Sequence, residues 1–248
     1  MAELQVLKGT HPRQRRRAGG DGPTNKERDY LEIIYYLVQR DEPVIAAHVA
    51  RWLSLQPPTV SHALQEMEKK AYIQRDERGE IALTAQGLEL AEVIIRRHRL
   101  LERFLADIVG LPWYALHEEA VLLEHALSPL LEERITQLLG DATTCPHGNP
   151  IPGSGAHYTG GTRLDRAEAG TLFTIRRIEE EAEERTEFLR YLEAQRLLPG
   201  NQFFIPDASP DYGITLRSCN RDMTVSPEIA AVIWGDCAPI DTVAPEGV

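Results

Sequence analysis

Apolar residues begin to recur at helical spacing at Asn25. In NKERDYLEIIYYLVQR the residues Tyr30, Ile33, Ile34 and Leu37 fall on one stripe behind a cap at Thr24 or Asn25. Pro43 interrupts the pattern, and VIAAHVARWL restarts it as a short second helix. Pro57 and Pro58 break it again before a third helix over residues 59–70, with Val60, Leu64 and Met67 inward. YIQRDERGEIALT then alternates around the turn-prone Asp76-Glu77-Arg78-Gly79 and predicts a two-stranded wing. Helix, turn, helix and wing together predict a winged helix-turn-helix over residues 25–95.

Behind the wing, the pattern predicts a long helix from Thr84 to about Ala106, another over residues 115–127, and a third over residues 129–139. CPHGNPIPG holds too many prolines and glycines for helix. From about Arg163 the texture changes to short β-rich runs (TLFTIRRI, NQFFIP, GITLRS) around one helix, which predicts a small barrel. The fold class is therefore α+β, divided into the winged domain, a helical domain at 96–155 and an SH3-like barrel at 163–240. Residues 1–24 are rich in Gly, Arg and Pro and read as a disordered basic arm. There Arg13, Arg15, Arg16 and Arg17 offer phosphate contacts, with a plain solvated leader as the alternative.

The formal charge of −11 changes meaning once divided along the chain. Residues 1–99 carry 16 Lys and Arg against 14 Asp and Glu, whereas residues 100–248 carry 11 against 24. A nucleic-acid-facing first half and an acidic, cation-binding second half fit that asymmetry. Three widely spaced cysteines (Cys145, Cys219, Cys237) argue against a disulfide framework and a four-cysteine zinc site. No apolar run is long enough to span a membrane and no leader pattern opens the chain, so a cytoplasmic protein with no membrane partner is expected.

Three helices bring ligand-type side chains at one-face spacing. His117, Val121, Glu124 and His125 share a face, His98 and Glu102 stand at i, i+4, and Asp29 and Glu32 at i, i+3. Imidazoles and carboxylates so arranged suit a divalent cation, while surface ion pairs and satisfied core histidines are the plain alternative for any one pair. At the start of the third helix Thr59, Ser61 and His62 occupy positions that face a DNA groove, and capping is the plain alternative for Thr59.

ERDYLEIIYYL, PPTVSHALQEME, RRHRLLERFL, LHEEAVLLEH and CPHGNPIPG, in this order, resemble the iron- and manganese-dependent repressors of diphtheria-toxin-repressor type. The likeness is close over about residues 25–155 and looser over 163–240. It implies a homodimer joined through the helical domain, a palindromic double-stranded operator, and activation by two Fe(II) or Mn(II) ions per subunit. It implies a primary metal site of Asp29, Glu124 and His125, with Glu32 able to add an oxygen. Val121 stands where the family has a ligating Cys or Glu, a departure that weakens this site. A second site of His98, Glu102 and His117 is implied, completed by Glu184 and Glu187 from the barrel. With more ligands, already deprotonated or neutral near pH 7, it should be the tighter site. The resemblance further implies an anion beside it at Arg99 and Asn149, with Cys145 a packed or anion-side thiol, and a base contact from His62. No catalytic residue is expected. The alternatives from other classes are a metal-dependent hydrolase, against which the absence of an HExxH motif counts, and a metal-independent DNA-binding protein.

Overall fold

The computed structural model describes residues 22–40, 43–158, 160–209, 211–218 and 221–239. The basic arm with Arg13, Arg15, Arg16 and Arg17 lies outside the described residues, as does Cys219. Helix α1 (Asn25–Gln39) opens on a capping box in which the Thr24 hydroxyl accepts from the Glu27 amide and the Glu27 carboxylate accepts from the Thr24 amide. Helices α2 (Ala46–Trp52) and α3 (Pro57–Lys69) follow, then the wing strands β1 (Ile73–Arg75) and β2 (Ile81–Leu83), antiparallel with Ile73 opposite Leu83. Helix α3 starts two residues earlier than the sequence suggests. Both prolines lie in its first turn, where missing amide donors cost nothing, and Gln56 rather than Thr59 stands at the cap. These elements close one apolar core around Leu31, Ile34, Val60, Leu64 and Met67.

Helix α4 (Ala85–Phe104) runs out of the wing into the second region and ends in a π-type turn, Leu105–Val109, closed by Gly110 in the left-handed region at φ 78°. Helices α5 (Leu116–Glu124) and α6 (Pro129–Leu139) complete a second core with Leu100, Leu101, Leu116, Ala120 and Ile135. Helix α5 stops three residues short of expectation. Pro129 pushes Ser128 into extended backbone, and the Ser128 hydroxyl caps α6 by accepting from the Leu131 amide.

Beyond this lie β3 (Thr162–Arg163), β4 (Thr171–Ile178), the short α7 (Glu180–Glu183), α8 (Thr186–Ala194), β5 (Gln202–Ser209), β6 (Gly213–Ser218), β7 (Arg221–Val225), α9 (Pro227–Ala230) and β8 (Ile233–Pro239). The strands pair in the order β3-β8-β4-β5-β6-β7, antiparallel throughout, over a third core around Phe173, Ile175, Leu189, Ile205 and Leu216. This β region touches the helical one at the loop 145–150. Gly148, at φ 91°, lies so close to β4 that a Cβ there would meet the Arg176 carbonyl oxygen at 1.9 Å. The Ile178 amide donates to the His147 carbonyl at 2.9 Å.

Candidate metal centre and DNA-reading face

Successive turns of α4 put His98 and Glu102 on its buried side, where α5 presents His117, the loop 145–150 presents Cys145 and His147, and α7 presents Glu183. Ligand-type atoms of His98, Glu102, His117 and Glu183 all lie within 4.8 Å of one another, and so do those of Glu102, Cys145 and His147. Glu102 belongs to both sets, so six buried side chains make one inner cluster. The distances are those of neighbouring charges: His98 Nε2 to Glu102 Oε1 3.2 Å, His147 Nδ1 to the same oxygen 3.1 Å, and His117 Nδ1 to Glu183 Oε2 3.5 Å.

Seven polar atoms of the cluster have no hydrogen-bond partner: His98 Nε2, both oxygens of Glu102, and both ring nitrogens of His117 and of His147. A buried polar atom left wholly unsatisfied costs about 1–3 kcal/mol, and here only ion-pair neighbours at 3.1–3.5 Å offset that cost. A divalent cation can take one nitrogen from each imidazole together with carboxylate oxygen, and its charge can stand in for the protons that otherwise balance the two buried carboxylates. The residues therefore fit a metal ion.

The same carboxylates hold protons on the histidines of the metal-free protein. Burial works against charge on His98, but Glu102 and Glu124 outweigh it and push the imidazole up to about 10. His117 and His147 are raised in the same way against burial, chiefly by Glu102 and Glu183. Glu102 is held well below the usual carboxylate range, because His147 and His98 overcome its burial. The Cys145 thiol is pushed up by burial and by Glu102 and Glu183. Against the expectation of ligands free of protons near pH 7, the buried carboxylates facing His98, His117 and His147 favour protonated imidazoles in the metal-free protein, whereas Glu102 favours its ionised form.

An outer group lies next to the inner one. His98 Nδ1 is 2.7 Å from Glu124 Oε2, Glu124 Oε1 is 3.6 Å from His125 Nδ1, and His125 Nε2 is 3.5 Å from Asp29 Oδ1 on α1. Glu32 is brought in as well, its carboxylate accepting from the Tyr36 hydroxyl at 2.7 Å. Burial and the charge of Glu124 raise Glu32 to about 7. Asp29 is raised by burial, with His125 opposing. The outer group is more open: the side chains of Asp29 and His125 are 46% and 26% exposed. Val121 is exposed.

Two sequence expectations are displaced here. Glu187 is not brought to the cluster, because its side chain is 86% exposed and faces Arg190, and Glu184 reaches only the rim, 3.7 Å from His117 Nε2. Glu183 takes the central place. At the expected anion position, Arg99 and Asn149 are engaged by the protein's own groups. Buried Arg99 donates to the Pro150 carbonyl, the Tyr158 hydroxyl and Glu180, while Asn149 Nδ2 donates to the Ile178 carbonyl at 2.9 Å and to Glu183 at 2.8 Å. Sequence reasoning missed His147 and Glu183 and set Cys145 aside. Cys-Pro-His in a proline-stiffened turn was the available signal for the loop. Nothing in Glu179-Glu180-Glu181-Ala182-Glu183-Glu184 marks which carboxylate turns inward.

On α3, Thr59, Ser61 and His62 are exposed, while Val60, Leu64 and Met67 are buried, so the helix offers one polar face to a partner. Among the described residues no helix is long and apolar enough to cross a membrane.

The chain resembles proteins of known function over most of its length. The model for the iron-dependent repressor N-terminal DNA-binding domain matches residues 24–80. The model for the iron-dependent repressor metal-binding and dimerisation domain matches residues 84–153. A diphtheria toxin repressor of Corynebacterium jeikeium is 37% identical over 139 residues, which is 56% of this chain and 58% of that one. The iron-dependent repressor IdeR of Mycobacterium tuberculosis is 31% identical over 198 residues, 75% of this chain and 86% of its own length. A solved manganese-dependent transcriptional repressor in complex with manganese matches with a TM-score of 0.74 at 26% identity, covering 84% of this chain and 98% of that one.

Proposed function

Given that the chain belongs to the iron-dependent repressor family, and so is a metal-dependent DNA-binding transcriptional regulator, we propose that it senses Fe(II) or Mn(II) through two adjoining centres. The inner centre is His98, Glu102, His117 and Glu183 with Cys145 and His147, and the outer is Asp29, Glu32, Glu124 and His125. The observation that carries this reading is the convergence of six buried ligand-type side chains, several of whose nitrogens and oxygens lack hydrogen-bond partners. A bound divalent cation supplies the positive charge that lets carboxylates and imidazoles from separate elements share one place.

The rest is done by the chain's own residues. Asp29 and Glu32 lie on α1 of the DNA-reading domain, and Glu124 and His125 lie at the end of α5. Bringing these groups together fixes α1, and with it α3, relative to the helical region. Homodimerisation buries the exposed Leu122, Leu130 and Leu138 and sets two copies of α3 at a fixed spacing. Thr59 and Ser61 then reach phosphates and His62 a base edge in successive major grooves of a palindromic operator, in the cytoplasm where such DNA lies. Arg13, Arg15, Arg16 and Arg17 add salt-sensitive contacts. Ion occupancy acts only through its preference for this DNA-competent arrangement.

Gel retardation of operator-length DNA tests the reading. Mn(II) or Fe(II) should produce the shift and a chelator should reverse it. Equal retardation in excess chelator overturns the proposal.

A further inference from the structure

The acidic run that delivers Glu183 sends its other glutamates to different parts of the molecule. Glu180 meets Arg99 on α4 and accepts from the Tyr158 hydroxyl at 2.6 Å. Glu184 pairs with His117 on α5. Glu179 and Glu181 both turn to Arg40, the residue that ends α1. Glu179 is buried, lies 3.4 Å from Arg40 Nε, and accepts from Trp234 Nε1 at 2.6 Å. Burial raises its carboxyl, and Arg40 and Arg177 oppose the rise.

Helix α1 is therefore held at two places. Asp29 meets His125 near its start, and Arg40 meets the acidic run at its end. At 1.5 Å per residue these points are about 16 Å apart along the axis. A helix attached at one point can pivot about it, and a second attachment at that distance removes the pivot. The second attachment comes from the β region, on the same four-residue helix, α7, that presents Glu183 to the inner cluster.

We propose that Arg40 is a positioning residue: through Glu179 and Glu181 it locks the DNA-reading domain to the segment carrying Glu183, so that filling the inner cluster aligns α1 through the β region as well as through Asp29. This rests on the reading above of the inner cluster as a metal centre. Order in α7 and order at the end of α1 then favour each other, and by linkage each strengthens the other's partner equally.

The test is DNA binding followed by fluorescence anisotropy as Mn(II) is raised, with Mn(II) binding in the absence of DNA and thermal unfolding measured alongside. Arg40→Glu should raise the Mn(II) concentration for half-maximal DNA binding about tenfold. Combining it with Glu181→Arg should recover much of that loss. The Glu179→Gln, Glu181→Gln double variant should behave like Arg40→Glu, although it leaves the arginine in place. That variant separates the proposal from direct phosphate contact by Arg40, which predicts unchanged or tighter DNA binding once the acids are gone. If the double variant unfolds, Glu181→Gln alone, at a half-exposed site, gives the same reading with a smaller shift. Wild-type Mn(II) curves from the glutamine variants, or no recovery in the charge swap, would overturn the proposal. A wild-type protein whose DNA binding ignores Mn(II) and Fe(II) would instead remove the metal-sensing reading beneath it.

Discussion

The two centres are built from the same residue types, yet they differ in nearly every physical respect. The inner cluster draws on α4, α5, the loop 145–150 and α7, and all six of its side chains are buried. The outer group draws its side chains from α1 and the end of α5, touches α4 only through the buried Glu124, and leaves Asp29 half exposed. Buried carboxylates and histidines held by several elements keep their geometry whether or not an ion is present, because the surrounding cores fix them. A pair of elements meeting through a few partly open side chains does not. On the proposed function, the inner centre is a preformed store of affinity and the outer the adjustable junction between the reading domain and the helical region. A sensor needs both, since a site that never moves cannot report and a site that is never organised cannot bind.

The largest effect should come from breaking the junction. His125→Ala should lower DNA affinity at saturating Mn(II) by more than about a hundredfold, approaching the metal-free state, because no neighbouring side chain duplicates its link to Asp29. Glu124→Ala should do at least as much, since Glu124 also accepts from His98 and supports the inner cluster. Thermal unfolding should show both variants folded. Normal repression by both would place the sensing junction elsewhere.

Legibility in the sequence follows the same division. His98, Glu102, His117, Glu124, His125, Asp29 and Glu32 could be singled out as candidates because helical spacing puts them on shared faces, and the structure brings them near one another. The winged domain and the short strands were readable for the same reason, since periodicity and turn residues report local structure. The loop and acidic-run contributions were not. Whether His147 or Glu183 points inward is decided by the packing of Gly148 on β4 and by the Ile178 to His147 backbone bond, contacts between segments about thirty residues apart. The engagement of Arg99 by Glu180 was hidden likewise, because the two lie 81 residues apart. The early start of α3 shows the converse error, a local rule (proline as breaker) applied where the first helical turn tolerates it.

Proton release should distinguish the centres next. In the metal-free protein His98 keeps its proton up to about 10, whereas Glu32 gives its proton up near 7. Ion uptake by the inner centre should therefore release protons at both pH 7 and pH 8.5, and release at the outer centre should fade over that range. Inner-site affinity should rise up to about tenfold per pH unit for each proton displaced. Titration calorimetry in buffers of different ionisation enthalpy measures this, with His125→Ala isolating the inner event. The linked stability effect has a definite sign. The folded value of His98 lies above its ordinary 6.5, so its contribution to the metal-free fold is complete below pH 6.5 and is lost as pH rises through about 10. Buffer-independent heats at pH 8.5 in the His125→Ala protein would contradict this account.

The smallest expected change is the most direct on the comparison itself, because it gives the outer group what the inner one has. Cys145 supplies a sulfur to the inner cluster, whereas the outer face carries Val121, one turn before Glu124 on α5 and unable to ligate. Val121 is 43% exposed, so a smaller polarizable side chain there meets no packing barrier and leaves no buried cavity. Val121→Cys should tighten outer-site binding of thiolate-preferring ions such as Co(II) or Zn(II) by about tenfold and of Mn(II) by much less, following ligand softness. The wild type should show the inner event as the tighter of two, and His98→Ala should remove that tighter event. A Co(II) titration read at the sulfur-to-metal charge-transfer band separates the cases, since the band reports thiolate ligation alone. In the wild type the band should grow with the first, tight event, and in Val121→Cys it should grow with both. Removal of the weaker event by His98→Ala, or a metal preference unmoved by Val121→Cys, would mean that the outer ion does not lie against this face of α5.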